Sequence, residues 1–123
     1  MRTIIIYVSG STRKITVRRI ALLLICLSCS IAAHAADVDA KLVIRDHKFD
    51  PAELSVPAGT KIRLTIENQD ATPEEFESTE LNREKVVVGK GTITVFLGPL
   101  DPGKYHFFGD FHQETAQGDL VAK

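Results

Sequence analysis

PAELSVPAGTKIRLTIENQD, residues 51–70, decides the architecture. Ile62, Leu64 and Ile66 alternate with Lys61, Arg63, Thr65 and Glu67. Successive side chains of a strand point to opposite faces, so this run buries one face and wets the other. Just upstream, Leu54 and Val56 alternate with Glu53 and Ser55, and Pro57-Ala58-Gly59 supplies the turn between the two runs.

The same period of two continues outward in both directions. Leu42 and Ile44 alternate with Val43 and Arg45; Ile93, Val95 and Leu97 alternate with Thr92, Thr94 and Phe96; Tyr105 and Phe107 alternate with Lys104 and His106. An apolar run at 120–122 closes the chain. The runs are punctuated by Asp50-Pro51, Asn68-Gln69-Asp70, Gly89-Lys90-Gly91 and Asp101-Pro102-Gly103. Pro102-Gly103 reads as the centre of a type II turn, with Gly103 at positive φ. Helical periodicity is missing, apart from one expected turn over 78–83. Short strands at this spacing predict an all-β antiparallel sandwich or barrel.

Composition divides the 123 residues into two parts. The first 36 contain five bases (Arg2, Arg13, Lys14, Arg18, Arg19), no acid, and both cysteines, Cys26 and Cys29. Basic residues, an apolar run over 20–33 and the small-x-small pattern Ala33-His34-Ala35 are the parts of a cleaved secretory signal peptide. The expected division is a signal peptide over 1–35 and one domain over 36–123, which places the domain in the periplasm. An uncut membrane anchor is the competing reading, but the apolar run falls short of the ~20 residues that span a bilayer.

The remainder carries ten Lys and Arg against sixteen Asp and Glu, a net charge of −6, with no Cys and no Met. That excludes a disulfide scaffold, thiolate chemistry and nucleic-acid binding driven by positive charge. Ser55 and Ser78 have no histidine partner in the pattern, so ordinary hydrolase chemistry is not expected either. The segment 70–84 concentrates Glu74, Glu75, Glu77, Glu80 and Glu84 against Arg83 alone. Such density belongs to a solvated acidic loop or to a cation site.

Three stretches resemble the cupredoxins. These are 51–70, EEFES at 74–78 where many cupredoxins place their first His ligand, and GPLDPGKYHFFGDFHQETAQGDLVAK at 98–123, which resembles the closing hairpin and ligand loop. Glu-Phe-Glu followed by NREKVVVGKG at 82–91 is similar to EfeO-type cupredoxin-like domains, and within them to small periplasmic FtrB-like proteins of bacterial iron uptake. The resemblance implies a cupredoxin-like Greek-key β-sandwich. It also implies copper or iron as the bound ion, and a membrane iron permease and other periplasmic iron-uptake components as partners.

One departure is chemically decisive. Blue copper needs a Cys thiolate with two His and a weak axial ligand. The thiolate position falls near Gly109-Asp110, just before Phe111-His112, and no type 1 copper site is expected. The remaining donors in the two ligand loops are oxygen and imidazole. Glu75 and Glu77 share a strand face opposite Phe76, and Asp110 and His112 lie in the second loop. These four are the expected metal ligands, with Glu74 and Glu114 as second choices and His47 and His106 read as structural. Two versions of the function follow: a ferrous-iron-oxidising component, or a carrier that concentrates the ion. The opposing class is a metal-free interaction module whose ligand end is degenerate.

Overall fold

The computed structural model describes residues 36–123. The expected signal peptide at 1–35 lies outside the described residues. Nine strands follow in order: β1 (Val38–Arg45), β2 (Lys48–Asp50), β3 (Glu53–Val56), β4 (Ile62–Asn68), β5 (Glu74–Ser78), β6 (Arg83–Val87), β7 (Thr92–Leu97), β8 (Gly103–Gly109) and β9 (Gln117–Ala122). A 3-10 turn, Asp110–His112, sits between the last two.

The strands form two sheets, ordered β2-β1-β4-β7 and β3-β9-β8-β5-β6. Five pairings are antiparallel, as the turn spacing predicts. Two are parallel: β1 with β4, and β3 with β9. Parallel partners cannot be joined by a tight turn. Here the chain leaves one sheet after β2, runs along the edge of the other as β3, and returns as β4 beside β1.

The alternation places the core as expected. Ile62, Leu64 and Ile66 are fully buried, with Leu42, Ile44, Val95 and Leu97 beside them. From the other sheet come Phe76, Phe107, Leu120 and Ala122. Phe49, Phe76 and Phe107 meet at the centre, with Phe49 edge-on to both others at centroid distances of 6.1 and 5.0 Å. Edge-to-face contact sets the positive rim of one ring against the negative face of another. Gly118 pairs with Phe107 across the ladder, and a Cβ there would lie 2.4 Å from the Phe107 ring, so only glycine lets the ring pack.

Three local expectations are revised. Residues 78–83 hold no helical turn: Thr79 to Asn82 form the hairpin loop between β5 and β6, closed by Asn82 N–H donating to the Thr79 carbonyl at 3.1 Å. Four of the five glutamates of the acidic segment 70–84 lie on strands, Glu74, Glu75 and Glu77 on β5 and Glu84 on β6, with Glu80 in the hairpin loop. Strand β6 sits at the sheet edge, so Arg83 to Val86 stay exposed and only its last residue, Val87, is buried. Gly103 is not at positive φ; it opens β8 in the ladder opposite Ala122. The preceding turn is closed instead by the Tyr105 hydroxyl, which donates to the Asp101 carbonyl at 2.9 Å.

Candidate metal centre

Three chain segments meet at one end of the sandwich. The first is the β1–β2 connection, two residues long, with Asp46 at φ 52° and His47 at φ 55°. Positive φ at both centre positions is the type I′ geometry that fits the twist of a hairpin, and Asp and His tolerate it better than most residues. Asp70 locks this turn: its carboxylate accepts the Asp46 N–H at 2.8 Å and the His47 N–H at 2.9 Å. Burial pushes the Asp70 carboxyl up, but these two donors, with His47 and Lys90 nearby, outweigh it and hold the group below its usual range. Asp70 is placed in turn by Asn68. That buried side chain accepts the Asp70 N–H at 3.0 Å and donates to the Thr72 carbonyl at 2.8 Å.

The second segment is the start of β5. Burial along the strand alternates with Glu74, Phe76 and Ser78 inside and Glu75 and Glu77 half-exposed. Glu74 is thus a carboxylate on the core-facing side, only 2% exposed at its side chain. It is fully engaged. Oε1 accepts the N–H of Glu75 and of Phe111, each at 2.9 Å, and Oε2 lies 2.6 Å from Nδ1 of His112. A buried carboxylate requires such partners, since an unpaired one is severely penalised.

The third segment is the 3-10 turn after β8. It presents His112, whose ring lies parallel to that of His47, with centroids 3.7 Å apart and 13° between planes. Donor atoms of His47, Glu74 and His112 all lie within 4.8 Å of one another. A cleft of about 360 Å³ opens beside the two rings, lined by His47, Phe111, His112 and Glu114 among others.

Of the four sequence-predicted ligands, His112 belongs to this group. Glu75, Glu77 and Asp110 do not. Parity explains the first two: the argument that puts Phe76 in the core puts Glu74 on its side and Glu75 and Glu77 on the other. Glu75 instead shares a side-chain hydrogen bond with Glu84 on the outer face, with Asp110 and Glu77 nearby. Partial desolvation, then Glu84, raise its pKa. Asp110 Oδ1 accepts from Gln113 Nε2 at 2.6 Å. Glu74, the second choice, is the carboxylate that meets His112, while Glu114 is exposed at the cleft. His47, set aside as structural, stands beside the site. His106, read from the sequence as structural, has both ring nitrogens engaged, by Asp119 at 3.0 Å and Gln117 at 2.7 Å.

Gly109 carries the clearest signature. A Cβ built there would lie 2.6 Å from Cδ of Glu74 and 2.7 Å from Cβ of Ala116. The Glu74 carboxylate occupies the space into which a side chain at 109 would begin.

This architecture and the sequence agree on the class. The sequence matches the cupredoxin-like domain family over residues 18–122, and the chain belongs to that family. It is 55% identical over 84 residues to an uncharacterized protein of Rickettsia prowazekii (strain Madrid E), covering 68% of this chain and 67% of that one. Its fold is similar to auracyanin A, a "blue" copper protein of Chloroflexus aurantiacus, at TM-score 0.62 and 16% identity, covering 72% of this chain and 100% of the other. It is also similar to a purple cupredoxin of Nitrosopumilus maritimus, at TM-score 0.55 and 19% identity, covering 69% and 100%. At these identities the two structures establish the fold alone.

Proposed function

We propose that this chain holds a divalent transition-metal ion at Glu74 and His112, lacks a type 1 copper centre, and serves an iron-uptake system from the periplasm. One observation carries the metal assignment: a buried carboxylate stands against Gly109, where a cupredoxin thiolate is expected, and touches the one histidine of the ligand loop. With no Cys or Met after residue 36, soft donors are unavailable and the hard and intermediate ones have converged. Carboxylate with imidazole suits Cu(II), Fe and Zn, and Cu(II) leads the affinity order, so supply selects between copper and iron.

Glu75, Glu77 and Asp110 enter as an acidic rim. Like charges gathered near a site raise the local concentration of cations without ligating them. The iron-uptake setting is supported by the wording of 74–91 and the export-type residues at the N-terminus. On this reading the partners are a membrane iron permease and its periplasmic companions, and the chain's own task is to hold and present the ion.

The test is metal titration of the full chain carrying Cys26→Ser and Cys29→Ser, which removes competing thiols. Saturating Cu(II) should raise the melting temperature, because a ligand bound only by the native state stabilises it, by ~2.7 kcal/mol at a hundredfold excess over Kd. Absorption should show weak d–d bands alone. Glu74→Gln and His112→Ala should abolish the stabilisation. An intense blue charge-transfer band, or a melting temperature unmoved by metal, overturns the proposal; the second result points to a metal-free interaction module.

A further inference from the structure

We infer that His47 is a third ligand, so that the ion is held by two imidazoles and one carboxylate. This rests on the metal-holding reading above and extends it to a donor from a separate part of the chain. The β1–β2 turn lies 27 residues before Glu74 and 65 before His112, yet its ring stacks on the His112 ring and its nitrogen falls within 4.8 Å of the other two donors.

Parallel rings aim their lone pairs side by side, not at one point. Shared ligation therefore requires the His47 ring to turn, and the site is built to allow it. The side chain is 41% exposed, and Nδ1 lies 3.5 Å from Asp70 Oδ2, beyond a good hydrogen bond. The backbone beneath it is fixed separately, through the two N–H groups that Asp70 accepts. The ring can swing while its Cα stays in place. His106, by contrast, would have to abandon two partners to bind anything.

The donor set names the ligand class. Two His and one carboxylate form the set found around catalytic zinc and non-haem Fe(II), and it leaves positions open for water or an incoming group. The cleft beside the rings gives those positions access. Ca²⁺ and Mg²⁺, which favour all-oxygen shells, should not compete.

Pulsed EPR of the Cu(II)-loaded full chain, again with Cys26→Ser and Cys29→Ser, counts the bound imidazoles. Two are expected, and His47→Asn should leave one while lowering affinity at least ~10-fold, since even outer-shell partners cost 10–100-fold. Asn tolerates the left-handed turn. An unchanged melting temperature without metal will verify that the variant folds, and His47→Gly should give the same spectrum. If Cu(II) binds and His47→Asn changes neither spectrum nor affinity, the third ligand is wrong and the two-residue reading stands. If the parent chain shows no saturable binding, both fail together.

Discussion

Strand β5 carries two carboxylate environments within its five residues. Glu74 faces inward, is almost fully buried and is satisfied by two backbone N–H groups and an imidazole. Glu75 and Glu77 face outward, among Glu84 and Asp110, where partial desolvation and then the neighbouring Glu84 raise the affinity of Glu75 for protons. The two faces have the same residue type and opposite chemistry. The inner carboxylate is a structural keystone and, on the reading proposed above, a ligand; the outer ones form a field. Net acidic charge attracts cations, but only the buried group has its oxygens fixed in one geometry.

The strongest way to break this contrast is Glu74→Ala. It strands the N–H groups of Glu75 and Phe111 and the His112 ring at once, and should cost about 3 kcal/mol. In a unit of this size that lowers the melting temperature by roughly 10–20 °C. Glu77→Ala should leave it unchanged or slightly higher, because Glu77 sits directly opposite Glu84 across the β5–β6 ladder and like charges so placed repel. Thermal denaturation of both metal-free variants checks the pair; equal losses would erase the distinction between the faces.

A sharper test uses Gly109. Gly109→Ala drives a methyl into the Glu74 carboxyl and the Ala116 methyl, a small-to-large change that should cost about 2 kcal/mol. In a Glu74→Ala background one of the two clashes disappears, so the penalty should shrink by ~1 kcal/mol or more, a coupling that a double-mutant cycle isolates. Additive losses would mean that Glu74 does not fill that space.

Much of this was legible in the sequence, and the misses have physical causes. Period-two alternation located the core because residues such as Ile62 and Ile66 have no other use for their faces. The loop that carries Gly109 and His112 to the end of the sandwich was legible too. Glu74 was underrated because its charge argues for solvent, while its parity with Phe76 argues for the interior, and here parity prevailed. The place of His47 beside His112 was not legible because it depends on a left-handed turn held by Asp70, a contact spanning 23 residues that no local pattern announces. Strand β6 left no amphipathic trace because an edge strand has little to bury. The parallel pairs are equally silent, since alternation shows which way a side chain points and not which neighbour it meets.

A smaller effect belongs to His106, a histidine of the outer face. The His106 hydrogen bond to Asp119, with Gln117 and Glu80 adding to it against partial burial, raises its pKa above the ordinary 6.5. A raised basic group stabilises the fold fully below pH 6.5, and that contribution is lost as pH rises through the folded value. Asp119→Asn should bring the ring's NMR titration midpoint down toward 6.5 and flatten stability against pH above that point. An unmoved midpoint would remove Asp119 as the cause.

The smallest effect lies within the acidic rim. Glu75 titrates above the ordinary 4.5, through desolvation first and then its hydrogen bond and repulsion with Glu84. The folded state therefore binds a proton more tightly than the unfolded chain, and stability falls as pH rises from 4.5 through the folded value. Glu84→Gln removes one charge of the pair. The Glu75 carboxyl, followed by carbon-13 NMR, should then titrate closer to 4.5, and that fall in stability should shrink with it. A Glu75 midpoint that stayed where it was would remove Glu84 as the cause and leave desolvation alone to explain the shift.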